Sequence, residues 1–543
     1  MKKFKKFSAA IAATLIAASL SVPMAASLPA SAAASANTIS FKDEVAETGH
    51  TYTAYRIFSG TVEGAELKNV QWANPDGANA LVTAMKADEA LSATLSTITV
   101  PGSGVVNAAA VAKALGGLNS DEAGAKALAK VIAANTDLVE KVGEAGPSIT
   151  TGDKDGYYLI VESDMTGQTD SAMTAYILNV YDASEGAEIA VKSAIPSVEK
   201  KIKENTKTGD WDTDNGYNDT ADFCKGDIVP FKLTGTMPSN LDRYDTYKYV
   251  FHDNIAANFS DPTNFKVYLN TVNEANDVTS SFKVVTTDLE DITISCDNVK
   301  AIDGVTATTK IIVTYDATLS NPVIGQPGQK NTVYLEYSNN PNNGGSGTSN
   351  SKPDTVIAFT YELDVTKIDG TTDAPLEGAE FKFYRMNGES KEYAIVADDG
   401  KLIGWGAEAA GTTLKSGTDG IFKVIGIDDG TYYLDETKAP AGYNELTEDI
   451  KVVVSADTSN SQTDNTIDGT ELTALNITVD AGTAQAGDVD SGIVEMDVKN
   501  NSGTTLPSTG GIGTTLFYVG GGCMVALAGV FLITKKRMNK KED

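Results

Sequence analysis

The sequence predicts a mainly β chain: tandem immunoglobulin-like β-sandwich domains behind an N-terminal α+β domain. Three observations carry this. The 543 residues are 41% hydrophobic with only 16 Pro; that is room for about three or four domains and is unlike a disordered or collagen-like composition. Two composition shifts divide the chain, SAIPS at 193–197 and the Gly/Asn/Ser-rich SNNPNNGGSGTSNSKPD at 338–354, as loop-forming residues do between packed units. Beyond the first shift, short alternating apolar runs recur between turn residues.

The elements follow in order. Residues 37–192 mix strand-like TISF, TYTAYRIFSG and YYLIVES with Ala-rich GANALVTAMKADEALSATL and NAAAVAKALGGL, which read as helices. Residues 193–350 are mostly β, with DIVPFKLTGTMP, YKYVFHD, FKVYLN, KIIVTYDA and NTVYLEYS. Residues 355–503 are β throughout: LDVTKID, AEFKFYRM, EYAIVA, GIFKVIGI, GTYYLDE, DIKVVVS and IVEMDVKN. Seven or so short strands with regular turns suggest a sandwich.

Both ends carry targeting signals. Residues 1–36 begin with four lysines, continue through an apolar stretch from Ala9 to Leu20, and end in small residues. This is the layout of a secretory signal, with cleavage after Ala32 or Ala36. At the other end, LPSTG (506–510) precedes an apolar run at 514–534 and the basic tail KKRMNKKED. Such a run is long enough to be expected as a transmembrane segment, with the positive tail on the cytoplasmic side. The order resembles the cell-wall sorting signal of Gram-positive bacteria. That resemblance implies recognition through Leu506 and Pro507. A sortase would cleave between Thr509 and Gly510 and pass the Thr509 carboxyl to an amine. The location implied is the cell wall, with covalent anchoring.

Charge and rare residues exclude several functions. The formal net charge is −30. Removing the leader (+4) and the segment after Thr509 (+3) leaves −37, a soluble, self-repelling surface with no basic patch for nucleic acid. Cys224 and Cys296 lie in the exported part, where a disulfide is permitted by compartment; spacing does not show that they meet. The only histidines, His50 and His252, have no metal-ligand cluster and no nucleophilic triad around them. No metal, cofactor or turnover enzyme is expected.

Two segments carry unusual chemistry. LDVTKID places Leu363, Val365 and Lys367 on one strand face, and IVEMDVKN places Val494, Met496, Val498 and Asn500 on one face. Each apolar row ends in a polar group, and Glu436 sits in GTYYLDETKAPAGY between them. A buried Lys without a partner loses its proton, and a buried carboxyl gains one. A neutral amine beside a carboxamide polarised by an acid can form a Lys–Asn isopeptide bond with loss of ammonia. YYLDETKAPAGY resembles the E-box of the collagen-adhesin B-type domain, and LDVTKID its first strand. The resemblance implies the set Lys367, Glu436 and Asn500, with Asn501 as a substitute.

The middle region repeats the scheme. PSVEKKIKE places Val198, Lys200 and Ile202 on one face, with Lys201 opposite; YKYVFHDNIA offers Asp253, with Asp242 and Asp245 nearby; NTVYLEYSNNP places Val333, Leu335, Tyr337 and Asn339 on one face. The region resembles the collagen-adhesin A-like middle domains of sortase-assembled backbone pilins. That implies the triad Lys200, Asp253 and Asn339.

The junction AVKSAIPSVEKK puts Lys192 where such pilins carry the acceptor lysine of the pilin motif. Ala190, Val191 and Ser193 replace the usual Tyr, Pro and Asn, and the lost Asn implies no crosslink within residues 37–192. GHTYTAYRIFSG with NVQWANP is also similar to the N-terminal domain of these pilins. The resemblance thus implies the shaft subunit of a covalent pilus, with Thr509 joined to Lys192 of the next copy. The partners implied are a pilin sortase, further copies of the chain, minor pilins and peptidoglycan, with a host surface or matrix ligand left open. The rival is a monomeric wall-anchored adhesin, in which Lys192 has no role.

Overall fold

The computed structural model describes residues 36–43, 50–64, 66–120, 122–162, 170–191, 194–205, 216–459, 467–503 and 512–538. The leader cleavage sites, Lys192 and LPSTG lie outside the described residues.

The third domain is two packed sheets. The smaller has the order Ile421–Ile427, Tyr361–Asp369, Ile493–Asn500. Tyr361–Asp369 pairs with Ile493–Asn500 in parallel, setting Lys367 opposite Val498 and Asp369 opposite Asn500. The larger sheet includes Ser390–Val396, Glu380–Asn387, Gly430–Lys438, Ile450–Thr458 and Leu472–Val479. Alternation decides the faces: Val494, Met496, Val498 and Asn500 are buried while Glu495, Asp497 and Lys499 are exposed. Gly420 closes against the first strand with φ +79°, and a Cβ there would lie 2.6 Å from the Lys367 carbonyl. Only glycine accepts both demands.

The first domain repeats the smaller sheet's connectivity. Thr38–Asp43 pairs in parallel with Ala187–Val191 and antiparallel with Ser148–Thr150. The other sheet runs Glu66–Trp72, Tyr52–Glu63, Gly156–Glu162, Ile177–Tyr181. Even the pairing matches, with Tyr52 opposite Glu162 as Phe381 is opposite Glu436. What made residues 37–192 read as α+β is an insertion. Helices Ala78–Ala87, Ala108–Leu115 and Glu122–Ala133 pack Leu81, Val82, Val111 and Leu128 over the larger sheet's core.

The middle domain is a sandwich of two larger sheets. One runs Tyr217–Asn218, Val198–Lys203, Ile228–Thr236, Lys310–Leu319, Phe259–Leu269. The facing sheet contains Asp354–Phe359, Gln329–Ser338, Tyr249–Ile255 and Ile292–Cys296. The stretch 338–354, expected as a linker, instead folds back: Thr348–Asn350 pairs with Glu336–Ser338, and Asp354–Phe359 joins the same sheet. Its glycines make the turn, Gly344 at φ 64° and Gly345 at φ 87°.

The C-terminal apolar run forms a helix, Ile512–Met538. Among the described residues no helix is long and apolar enough to cross a membrane. The transmembrane segment expected at 514–534 is corrected accordingly; glycines 520–522 and 529 interrupt the large apolar side chains there.

Candidate functional site

Two buried lysines organise the chemistry. In the middle domain Val198–Lys203 turns Lys200 inward, fully buried. Its Nζ donates to Asp253 Oδ1 at 2.5 Å and to the Tyr315 hydroxyl at 3.1 Å. Asp253 comes from the opposite sheet and is equally buried. Burial pushes the Lys200 amine down to about 8, against the opposing pull of Asp253. Asp242 and Asp245 are exposed. Lys201 turns the other way, to Asp219.

The carboxamide beside Lys200 is Asn331, not Asn339. Asn331 Nδ2 donates to the same Tyr315 hydroxyl at 2.7 Å, and Asn331 is fully buried. Asn331 lies on Gln329–Ser338, and Asn339 follows the last residue of that strand. Register separates them: Asp253 pairs with Val333 and Ile255 with Asn331, so Asn339 lies six residues beyond the Asp253 pair, about 20 Å along an extended strand. Asn339 sits at the junction with the first domain, where its carbonyl accepts from the Met173 N–H at 2.7 Å.

In the third domain Lys367 is fully buried and donates to the Val498 carbonyl at 2.8 Å. Burial again pushes its amine down to about 8, with Glu436 pulling upward. Asn500 Nδ2 donates to both Glu436 oxygens at 3.0 Å and to the Asn444 carbonyl at 2.8 Å. Asn500 is 1% exposed, whereas Asn501 is exposed. Among the described residues, the Oδ1 atoms of Asn331 and Asn500 and Oδ2 of Asp253 are buried without hydrogen-bond partners. The two carboxamide oxygens are acceptors that an O–H donor would satisfy, and the third atom belongs to the acid itself.

The first domain keeps the acid and not its partners. Glu162, at the position of Glu436, is buried with His50 on one oxygen and the Thr174 N–H on the other at 2.5 Å. Phe41 pairs with Ile189 as Lys367 pairs with Val498, so Phe41 and Val191 hold the register positions of Lys367 and Asn500. Phe41 stacks on Tyr52 at 4.1 Å.

Cys224 and Cys296 are both free and buried, which corrects the permitted disulfide. They belong to different cores: Cys224 packs with the third domain and Cys296 with the middle one. No local motif signals two acidic groupings where these domains meet, Cys224–Asp227–Asp428 and Asp222–Asp428–Asp429, whose ligand atoms are close enough to hold a metal ion. Burial and the neighbouring carboxylates push Asp428 well above the usual carboxylate range.

Comparison with known proteins adds three findings. Residues 361–468 match the SpaA prealbumin-like fold domain, and residues 498–540 match the LPXTG cell wall anchor motif. The chain is 22% identical over 425 residues to the trypsin-resistant surface T6 protein of Streptococcus pyogenes serotype M6, covering 65% of this chain and 71% of that protein. Among solved structures it is similar to the T6 backbone pilin of that organism, at 19% identity and TM-score 0.48 over 87% of this chain and 100% of that one. It is also similar to the major pilin SpaA of Corynebacterium diphtheriae, at 13% identity and TM-score 0.42 over 86% and 100%.

Proposed function

We propose that the chain is the shaft subunit of a covalent, wall-anchored pilus. A sortase would form an acyl-enzyme at Thr509, and Lys192 of another copy would attack it. The anchor motif directly after three tandem domains supports this reading, as does the relative named as a surface protein of a streptococcus. The observation that carries it is the pair of buried lysines, each beside a buried acid and a buried Asn. Such sites suit a load-bearing shaft. The bonds proposed are Lys200–Asn331, promoted by Asp253, and Lys367–Asn500, promoted by Glu436. In each, the neutral Nζ attacks the Asn Cγ and ammonia leaves, with Glu436 bound to the carboxamide in the third domain and Asp253 bound to the amine in the middle one. The chemistry happens once per molecule, so the chain is a sortase substrate rather than an enzyme.

The test is a Lys192→Ala strain. Loss of the high-mass ladder on a denaturing gel, with monomer still on the wall, is expected. A persisting ladder would point to a different acceptor lysine and would sink the assignment of Lys192, whereas a wild-type strain with no ladder at all would favour the monomeric adhesin.

A further inference from the structure

Resting on the isopeptide reading above, the geometry points to Tyr315 as a second catalytic residue of the middle-domain site, a proton relay between the attacking amine and the departing nitrogen. The third domain needs no such relay, because its acid touches the carboxamide directly, Glu436 to Asn500 Nδ2 at 3.0 Å. In the middle domain the acid is bound to the lysine instead, at 2.5 Å. The amine and the carboxamide share a phenol hydroxyl as hydrogen-bond acceptor. Among the described residues, Tyr315 is the one group hydrogen-bonded to both Lys200 Nζ and Asn331 Nδ2, at 3.1 and 2.7 Å. Asp253 interacts with the same hydroxyl.

The phenol is held where it is by packing. Its ring is 1% exposed and stacks on Phe231 at 5.1 Å and on Phe265 at 4.9 Å. Burial keeps it in the protonated form, far above the ordinary phenol range. A neutral phenol can accept one proton while giving up another, so it changes charge at neither stage.

The step balances as follows. The Lys200 Nζ lone pair bonds to Asn331 Cγ, and the carbonyl electron pair moves to Oδ1. Nζ then gives one proton to the Tyr315 oxygen as Tyr315 gives its own hydroxyl proton to Nδ2. The oxyanion collapses, the Cγ–Nδ2 bond breaks, and ammonia departs with that electron pair. Tyr315 ends as it began, and no oxidant or other reactant is consumed.

Tyr315→Phe removes only the hydroxyl and keeps the ring stacks. The experiment follows the full-length chain after pulse synthesis, by intact mass and by mapping of linked peptides. The third-domain bond serves as an internal standard. Expected is a folded, protease-resistant variant that forms Lys367–Asn500 at the wild-type rate and Lys200–Asn331 at least about 10²-fold more slowly, the usual scale of a lost acid–base group. Middle-domain linkage at the wild-type rate would overturn the relay. If the Phe variant does not fold, site-specific 3-fluorotyrosine at 315, a more acidic phenol of nearly the same shape, decides. A rate change confined to the middle bond supports the relay, and an unchanged rate overturns it. Wild-type chain lacking the Lys200–Asn331 bond altogether would refute the isopeptide reading itself, a separate result.

Discussion

The middle and third domains bury the same three functional groups and connect them differently. In the third domain Lys367 and Asn500 lie on adjacent parallel strands of one sheet, the first and last of the domain, and the acid reaches in from the other sheet. A bond there would tie the two chain ends of the domain together. In the middle domain Lys200 lies on one sheet and Asn331 on the facing one, beside Asp253. A bond there would rivet the two sheets through the core. The acid grips the amide in one case and the amine in the other. Burial is the shared requirement, since it alone brings both amines down to about 8. The arrangement of strands is free to vary.

The largest effect expected comes from cutting each bond. Each would close a loop of roughly 130 residues, and removing such a closure costs about 5 kcal/mol in the chain-entropy account, or about 10–20 °C in a domain of this size. Asn331→Ala should therefore lower the melting transition of the middle domain and raise the intact mass by the ammonia otherwise lost, alongside the change due to the substitution itself. Glu436→Ala should do the same for the third domain alone. Calorimetry with intact-mass measurement checks both, and an effect of either variant on the other domain's bond would dissolve the proposed independence.

Unlinked lysines should give a pH signature of about 3 kcal/mol. In Asn331→Ala the folded-state Lys200 amine titrates near 8 and the unfolded one near 10.5. Between these values the unfolded chain binds more protons, so stability rises with pH and levels off above the unfolded value. Denaturant titrations from pH 7 to 11 should show this in the variant and not in the linked wild type. A flat profile in the variant would mean that Lys200 is not held in a desolvated site.

The first domain offers the sharpest contrast with the third. With Phe41 and Val191 at the positions of Lys367 and Asn500, the wild-type chain should lose two molecules of ammonia and not three. A third loss, seen in the intact mass, would show a crosslink in the first domain. The smallest effect belongs to Asn339→Ala. Both bonds should form as in wild type, with a cost of about 1 kcal/mol at the first–middle junction. Loss of the middle bond in that variant would restore Asn339 as the reacting residue.

Much of this was legible in the residues. Period-two alternation identified the faces carrying Lys200, Lys367 and Asn500, because side-chain direction along a strand is a local property. The same alternation could not choose between Asn331 and Asn339, which fall in the same odd-numbered row of one segment. Only the antiparallel register, Asp253 against Val333, decided which end of that strand meets the lysine. Nor could composition show that the helices of the first domain decorate a core that shares its parallel first–last strand pairing with the third, because strand pairing between distant segments leaves no local trace.

By itself, then, the sequence determined the β character, the LPSTG and Lys192 segments on which the proposed joint rests, and the inward faces that carry Lys200 and Lys367. All of these rest on patterns within a few residues of one another. Tertiary structure decided the neighbours: Asn331 and Lys200 on the same Tyr315 hydroxyl, separate cores for Cys224 and Cys296, and a sheet in place of the linker at 338–354. Each depends on contacts between segments far apart in the chain, fixed only when the sheets close over their cores.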